Sequence, residues 1–186
     1  MPVAKSTDVA ELTTTEAAVL ALLAIEGERS GYDLIKLVER SIAHVWSPAR
    51  SGLYAVLPRL EREQLARRRI VAQSARPDKQ LYRITRAGER ALEAWLETVE
   101  PGATDAFYLK LFVGGLAQPA AMLDQVGQFR TDVAERLARY REIERTNTNT
   151  GHDWYHRHLL RLAIARTELE LDWADGVARA LERGPR

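Results

Sequence analysis

The chain has 186 residues, of which 46% are hydrophobic and 28% charged, and its formal net charge is +1. This length can bury a core without covalent staples, and the absence of cysteine excludes disulfides, thiolate nucleophiles and cysteine-ligated zinc. The longest apolar run, residues 17–25, is too short to span a bilayer and follows acidic residues rather than the basic start of a secretory signal, so we expect a cytoplasmic protein with no membrane partner.

Three helices are predicted after a short polar tail. Thr13 with Glu16, and Ser30 with Asp33, have the spacing of capping boxes and begin the first two helices. In the third helix, Ser47 is expected to be the N-cap and Pro48 the first helical residue. Apolar residues at helical spacing predict the three buried faces: Val19, Leu20, Leu22 and Leu23; Leu34, Ile35, Val38, Ile42 and Val45; and Leu53, Val56, Leu57 and Leu60.

The period then changes to that of a β-hairpin. Residues 69–73 and 80–84 are short segments with β-branched and aromatic side chains, and the stretch between them is rich in turn residues. Thr85 is expected to cap a fourth helix that buries Ala91, Leu92, Trp95 and Leu96. Pro101-Gly102 is the clearest break in the chain.

Beyond this break every segment predicts helix. One helix runs from Asp105 to about Ala117, a long one begins at Pro119, and a final long one follows the polar loop 147–151. Apolar stripes are expected on the two long helices: Met122, Val126, Phe129, Val133, Leu137 and Tyr140; and Leu159, Leu162, Leu169, Trp173, Val177 and Leu181. This spacing is typical of a coiled-coil seam, which can form within one chain or between two copies, and we expect both.

The excess positive charge is confined to one window. Residues 47–90 carry eleven basic and four acidic side chains, whereas the rest of the chain is neutral or acidic. A local basic patch on a near-neutral protein indicates either a surface for a polyanion or an ordinary solvated face.

No pattern in the chain makes a case for an enzyme. The glycine-rich phosphate loops, the zinc-protease helix motif and the serine-hydrolase elbow are all absent. His152 and His156 have the spacing of a metal pair on a helix, but no third ligand is evident, so no metal, catalytic residue or cofactor is predicted.

The order helix, helix, helix, hairpin, helix is that of a winged helix-turn-helix. In this arrangement the third helix enters the major groove of DNA and the hairpin wing reaches along the backbone. The basic window covers the third helix and the wing, so two independent signals favour DNA.

Several blocks of sequence carry a resemblance to a known family: residues 12–20, 30–34, 46–47, 51–61, 81–88 and 91–96, with residues 105–112 matching the start of a longer C-terminal region. In order and spacing these blocks resemble the PadR family of bacterial transcriptional regulators. The chain departs from the family pattern at Ala55, where the family has proline, and at Gln64, where it has glycine. Pro58 stands inside the predicted third helix.

The resemblance implies a mainly α fold with a small β-hairpin. A winged helix-turn-helix is expected over residues 12–98, and a helical dimerisation and effector-binding region over residues 104–183. The implied function is that of a homodimeric repressor that leaves its operator when a small effector binds. The alternative is a winged-helix protein-interaction module without effector or sequence-specific DNA binding.

The candidate DNA-binding residues lie on the second helix, the third helix and the wing. They are Tyr32, Ser47, Arg50, Ser51, Tyr54, Arg59, Arg68, Arg76 and Lys79, of which Arg50 and Ser51 occupy the turn where base contacts concentrate. The wing cations, which also include Arg67 and Arg69, are expected to bind phosphates. Trp46 and Trp95 are interpreted as core residues.

The candidate effector-binding residues lie in the C-terminal region. They are Phe107, Lys110, Trp154, Tyr155 and His156. The resemblance implies that small aromatic acids are plausible effectors, and an imidazole with aromatic neighbours at a helix start suits a ring that bears a carboxylate. The alternative for His156 is a surface residue.

Overall fold

A computed structural model describes residues 11–43, 46, 48–73, 78–146 and 152–184, with the side chains of His152, Asp153 and Tyr155 left out. The elements in chain order are α1 Thr14–Glu26, α2 Gly31–Ser41, α3 Arg50–Arg62, β1 Ala66–Val71, β2 Lys79–Ile84, α4 Arg86–Glu97, α5 Thr104–Phe112, a 3-10 helix Gly114–Leu116, α6 Pro119–Thr146 and α7 His152–Arg183. This order confirms the predicted fold class. The polar tail, Val45, Ser47, the wing turn with Arg76, and the loop 147–151 lie outside the described residues.

The described residues pack as two compact units. One contains those of Met1–Thr98 together with Tyr108–Ala117, and the other those of Val99–Phe107 and Gln118–Arg186. The first residues of α5 therefore belong to one unit and its later residues to the other. The limits 12–98 and 104–183 stay a prediction.

Both predicted capping boxes are present. The Glu16 backbone N–H donates to the Thr13 hydroxyl at 3.4 Å, and the Glu16 carboxylate accepts from the Thr13 backbone N–H at 3.0 Å. Ser30 and Asp33 make the same reciprocal pair at the start of α2, at 3.3 and 3.2 Å. These bonds satisfy N–H groups that a helix start leaves unpaired.

Helix α1 is buried on every side rather than on one face. Every residue from Ala17 to Leu23 is 5% exposed or less. The reason is that α2, α3, α4 and β2 all pack against α1. The expectation of a single inward face was therefore wrong for this helix.

Helix α3 begins two residues later than predicted. Pro48 lies outside the helix, and the N-cap is Ala49, with ψ 137° and no side-chain cap hydrogen bond. The proline ring restrains φ but does not impose a helical ψ, so the chain stays extended up to Ala49. The helix runs through Pro58 to Arg62 and buries Leu53, Leu57 and Leu60, while Val56 is half-buried.

The first strand of the hairpin begins three residues before the predicted segment 69–73 and ends two residues before its end. β1 begins at Ala66, which pairs with Ile84, and the antiparallel ladder extends to Val71 opposite Lys79. The backbone of Arg29 exchanges hydrogen bonds of 3.0 and 2.8 Å with Tyr82, so the loop between α1 and α2 pairs with the outer edge of β2. The start of β1 contains three consecutive arginines, so its sequence does not look like a strand. It pairs nonetheless, because strand pairing uses backbone groups.

Helix α4 meets the hairpin through a close backbone approach. Thr85 caps it by accepting from the Gly88 N–H at 3.1 Å, as predicted. A Cβ at Gly88 would stand 2.2 Å from the Leu65 carbonyl oxygen, so only glycine fits there. The inward residues Ala91, Leu92, Trp95 and Leu96 are buried, as is Trp46.

In the second unit α6 packs antiparallel against α7. Three interhelical ion pairs set the register: Arg130 with Asp175, Arg136 with Glu170, and Arg141 with Glu168. Met122, Val126, Phe129 and Val133 of α6 are buried within this chain. In the described part of the chain no helix is long and apolar enough to cross a membrane.

Three leucines of the apolar stripe predicted on α7 do not face α6, whereas Trp173 of the same stripe meets Phe129 of α6 edge-on at 5.9 Å. Leu159, Leu162 and Leu169 are 68%, 55% and 68% exposed, whereas Ile164 and Ala174 are buried. Apolar residues occur on two sides of α7, and helical periodicity alone does not show which side packs. The expectation that Val126, Phe129 and Val133 bury surface between copies was wrong, because these side chains are buried inside the chain.

Gln64 provides a test of local strain. Its φ of 59° is left-handed, and no other non-glycine residue described has positive φ. Because a side chain is disfavoured in this region, Gln64→Gly should stabilise the protein by about 0.5–1 kcal/mol, partly offset by the freer unfolded chain. Denaturant unfolding measures this. Glu93→Gly, at an exposed position inside α4, should instead destabilise by about 1 kcal/mol, and a destabilised Gln64→Gly would contradict the account.

Candidate nucleic-acid interface

An open groove of about 690 Å³ lies between the start of α2, the outer side of α3 and the wing, all within the first unit. Its size is in the range of binding clefts. Its lining consists of Ser30, Gly31, Tyr32, Asp33, Tyr54, Leu57, Pro58, Gln73, Asp78, Lys79, Gln80 and Tyr82. The structure thus brings together three of the predicted DNA-binding residues, Tyr32, Tyr54 and Lys79.

Tyr54 is held in this groove by a glycine. A Cβ at Gly31 would lie 2.7 Å from Cε1 of Tyr54 and 3.0 Å from Cδ1 of Leu57, so the tyrosine ring rests on the bare backbone of α2. Tyr54 remains 49% exposed. Its ring is therefore positioned by packing, while part of the side chain stays open to a ligand.

Two further tyrosines line the groove in different ways. Tyr32 is exposed on the first turn of α2, and Lys36 Nζ lies 5.8 Å from its ring centroid. Tyr82 is buried on β2, where its hydroxyl donates to Gln80 at 3.1 Å and burial raises the pKa of its phenol. Tyr82 therefore supports the wing, and Tyr32 offers a hydroxyl at the surface.

Three of the wing cations, Lys79, Arg68 and Arg69, are paired with carboxylates of neighbouring elements. Lys79 Nζ lies 3.0 Å from Asp33, and Arg68 Nε lies 3.1 Å from Glu61. The pKa of the Asp33 carboxyl is lowered, first by the Ser30 hydroxyl that donates to it and further by Lys79. A phosphate that binds Lys79 or Arg68 must therefore compete with a carboxylate already in place.

Arg50 is the first residue of α3, and its side chain is 72% exposed. Its guanidinium donates to Glu39 of α2, and the same carboxylate accepts from Lys36 at 3.0 Å. The pKa of Glu39 is lowered, chiefly by the hydrogen bond from Lys36 and also by the charge of Arg50. Ser51 is exposed beside Arg50.

Arg59 differs from the other candidates because it forms an ion pair with a buried carboxylate of α1. Its Nε lies 3.1 Å from the Glu16 carboxylate, which is buried, and 2.8 Å from Glu63. A buried charge needs such a partner. This geometry gives Arg59 a structural contact at the start of α1. Ser47 and Arg76 lie outside the described residues.

Sequence reasoning missed a cation on the wing. Arg83 stands directly opposite Arg67 in the ladder, and within the described part of the chain neither forms an ion pair. Like charges opposite each other destabilise a hairpin. Arg83 is partly compensated by Glu28, whose pKa is lowered chiefly by the hydrogen bond from Arg69 and further by the charges of Arg69 and Arg83. A prediction of β1 from Ala66 would have given the strand register, and this register places Arg67 and Arg83 opposite each other.

The candidate effector residues are not brought together. Phe107 is buried in a cluster where its ring stacks on Phe129 at 4.2 Å and meets Trp173 edge-on at 6.1 Å. Trp154 lies at the other end of α7, about 28 Å from Trp173 along the helix axis. One pocket cannot contain both Phe107 and Trp154, contrary to expectation.

Lys110 is buried in the first unit instead of lining a ligand site. It is 1% exposed, its ammonium donates to the Thr98 carbonyl, and Nζ lies 4.6 Å from the ring centroid of Trp95. These contacts compensate a desolvated charge and join α5 to the end of α4.

The start of α7 is exposed. Trp154 is 49% exposed and its ring meets His158 edge-on at 4.6 Å, while His156 is also exposed. The side chain of Tyr155 lies outside the described residues. Among the side chains that the structure describes, no three acidic or histidine residues are placed to hold a metal.

Two family models match adjacent parts of the chain. The "Transcriptional regulator PadR-like family" matches residues 19–94, and "Virulence activator alpha C-term" matches residues 104–182. The Mycobacterium tuberculosis protein named "Probable transcriptional regulator Rv1176c" is 31% identical over 174 residues, which cover 84% of this chain and 92% of that protein.

Solved structures show a weaker likeness. Bacillus subtilis PadR in complex with operator DNA has 22% identity and a TM-score of 0.46, and the match covers 91% of this chain and 99% of that one. The same protein in complex with p-coumaric acid has 21% identity and a TM-score of 0.42, with coverage of 93% and 99%.

Proposed function

Because the chain belongs to the PadR-like family of transcriptional regulators, we propose that residues 12–98 bind operator DNA and that residues 104–183 form a dimerisation and effector region. The family is one of regulators rather than enzymes. The observation that carries the DNA proposal is the groove itself, in which the exposed tyrosines Tyr32 and Tyr54 lie beside Lys79, a cation of the basic window.

In the proposed complex the first turn of α3 lies in the major groove. Arg50 and Ser51 are then next to the base edges. Tyr54, on the same helix, and Tyr32, at the start of α2, are placed to donate hydroxyls to phosphates. Lys79 and Arg68, with Arg67 and Arg83, supply the wing's charge, and Ser47 and Arg76 remain candidates for phosphate contact. We do not assign Arg59 to the DNA, since it is paired with Glu16.

The wing charges can be tested through salt dependence. In the variant that combines Arg68→Ala with Lys79→Ala, binding should weaken on all sequences alike. The slope of log affinity against log salt should fall by up to about 0.9 for each lost phosphate contact. Fluorescence anisotropy with a labelled duplex from the upstream region of its own gene, at several salt concentrations, measures both.

The matched control removes two exposed arginines at the end of α7, Arg179 and Arg183, which changes the net charge equally. Its slope should stay that of the wild type. An unchanged slope in the wing variant would mean that the wing does not touch the backbone. No binding of the wild type to any duplex would favour the protein-interaction module instead.

We also propose a homodimer formed through the exposed side of α7. Leu159, Leu162, Arg166 and Leu169 recur at spacings of three and four, which makes a second seam beside the one that packs on α6. Exposed leucines in such a row are typical of a protein contact.

The distribution of charge along α7 favours an antiparallel pairing of the two copies. Residues 154–166 contain three arginines and no acidic residue, whereas three of the four acidic residues in 167–178 are paired with arginines of α6. Parallel helices would set the three arginines of one copy against those of the other, and antiparallel helices keep them apart. A two-fold dimer also fits an operator whose half-sites lie about 34 Å apart, or a multiple of that.

Replacement of Leu162 or Leu169 by glutamate should dissociate the dimer, because a charge would be buried at the seam. Sedimentation velocity at micromolar concentration should show a dimer for the wild type and monomer for either variant. Ile25→Glu, an exposed apolar position on α1, is the control and should remain dimeric. A monomeric wild type would refute the proposal.

Finally, we propose that a small aromatic carboxylate binds at the start of α7, near Trp154, Tyr155 and His156, and acts as effector. The exposed aromatic and imidazole groups on the first turns of the helix, where the dipole favours an anion, support this placement. Phe107 and Lys110 are not part of this site, since both are buried elsewhere. An effector that prefers the dimer with misplaced α3 helices would release the operator and so relieve repression.

His156→Ala should raise the dissociation constant of the effector about tenfold, if a charge-assisted hydrogen bond of roughly 1.5 kcal/mol is lost, and leave operator affinity unchanged. Tryptophan fluorescence titration with hydroxylated benzoic and cinnamic acids measures this. If no acid binds, the ligand class is wrong. If one binds both forms equally, His156 is a surface residue and the pocket lies elsewhere.

A further inference from the structure

We propose that Glu39 is a positioning residue that determines sequence specificity. It holds the Arg50 guanidinium at the start of α3 and keeps it from binding the phosphates of DNA irrespective of base sequence. The inference rests on the proposed DNA-binding function. Glu39 lies on α2, and its carboxylate accepts hydrogen bonds from two cations: Lys36, one turn earlier on the same helix, and Arg50, eleven residues later in the chain.

The start of α3 lacks the negative charge that stabilises a helix N-terminus, and Glu39 supplies one. Its N-cap is Ala49, which makes no side-chain cap hydrogen bond, and its first turn contains no acidic residue. Arg50 adds a cation at the positive end of the helix dipole, where an anion would be favourable. The carboxylate of Glu39 therefore supplies from α2 the negative charge that the sequence of α3 lacks.

The pair also leaves Arg50 competent to contact a base. Within the described residues its one hydrogen bond runs from Nη2 to Glu39, so Nε and Nη1 remain donors. An arginine that is 72% exposed would otherwise sample many rotamers. Recognition of guanine needs the guanidinium in one plane with the base edge, and a carboxylate behind it restricts the side chain to fewer orientations.

The same carboxylate lowers sequence-independent binding. Non-specific affinity comes from cations that neutralise phosphates, and the charge of Arg50 is already partly offset by Glu39, which Lys36 shares. Glu39 also repels any phosphate that approaches the start of α3. A contact between Arg50 and a base edge leaves the attraction between Arg50 and Glu39 intact, whereas a phosphate that binds Arg50 must displace Glu39. Glu39 therefore raises the ratio of specific to non-specific affinity.

The experiment compares Glu39→Gln, Arg50→Ala and their double variant with the wild type. Glu93→Gln, which removes an exposed charge on α4, is the matched control. Each full-length protein is used to select from a random duplex library and is then titrated against its selected sequence and a scrambled one at several salt concentrations. Thermal unfolding midpoints show that each variant is folded.

For Glu39→Gln we expect about fivefold tighter binding to scrambled DNA at low salt and a salt slope steeper by up to about one unit. The selected sequence should lose base preference at the positions that Arg50→Ala also loses. In the double variant, base preference should match that of Arg50→Ala alone, since Glu39 acts through Arg50.

If Glu39→Gln keeps the slope and the base preferences of Glu93→Gln while Arg50→Ala changes the selected sequence, Glu39 is not a positioning residue and the DNA-binding function stands. If the wild type binds no duplex, the proposed function fails and this inference fails with it.

Discussion

The burial of α1 is the constraint on which the first unit depends. Seven consecutive residues, Ala17 to Leu23, are enclosed by α2, α3, α4 and β2, so each of these elements is placed by its contact with one central helix. Removal of this apolar surface from water is the main favourable contribution to packing. The ion pair between buried Glu16 and Arg59 adds a polar contact between α3 and the start of α1. The groove at the start of α2 and the outer side of α3 is thus built on a rigid platform, as a surface that must read DNA requires.

The charges on this face act through position more than through stability. Exposed ion pairs contribute little to folding, so Lys79 with Asp33, Arg68 with Glu61 and Arg50 with Glu39 are weak supports for the fold. Each pair does, however, decide where a cation stands before a phosphate arrives and what that phosphate must displace. Arg67 is the contrasting case, because it lies opposite Arg83 on the wing and forms no ion pair within the described residues.

In the second unit the same physics gives two separate seams on one helix. The buried seam of α7 contains small and branched residues such as Ile164, Thr167 and Ala174, and it is aligned with α6 by three arginine–carboxylate pairs. The exposed seam carries leucines. A hairpin of helices that satisfies its own core and still exposes Leu159, Leu162 and Leu169 has surface left for a second copy.

The sequence by itself determined the local features of this protein. Four local features were predicted: the capping boxes at Thr13 and Ser30, the cap at Thr85 and the break at Pro101-Gly102. The caps depend on partners within three or four residues, and the break depends on the backbone preferences of proline and glycine themselves. The family was evident from the order and spacing of short blocks of sequence. The basic third helix and wing were evident from the count of charged residues over 47–90. Only the tertiary structure decided that α1 is buried all round, which seam of α7 packs inside the chain, that Phe107 and Trp154 lie apart, and that Arg50 is paired with Glu39. A helical period marks apolar faces without assigning their partners, and side chains eleven or more residues apart meet only when the elements that carry them have packed.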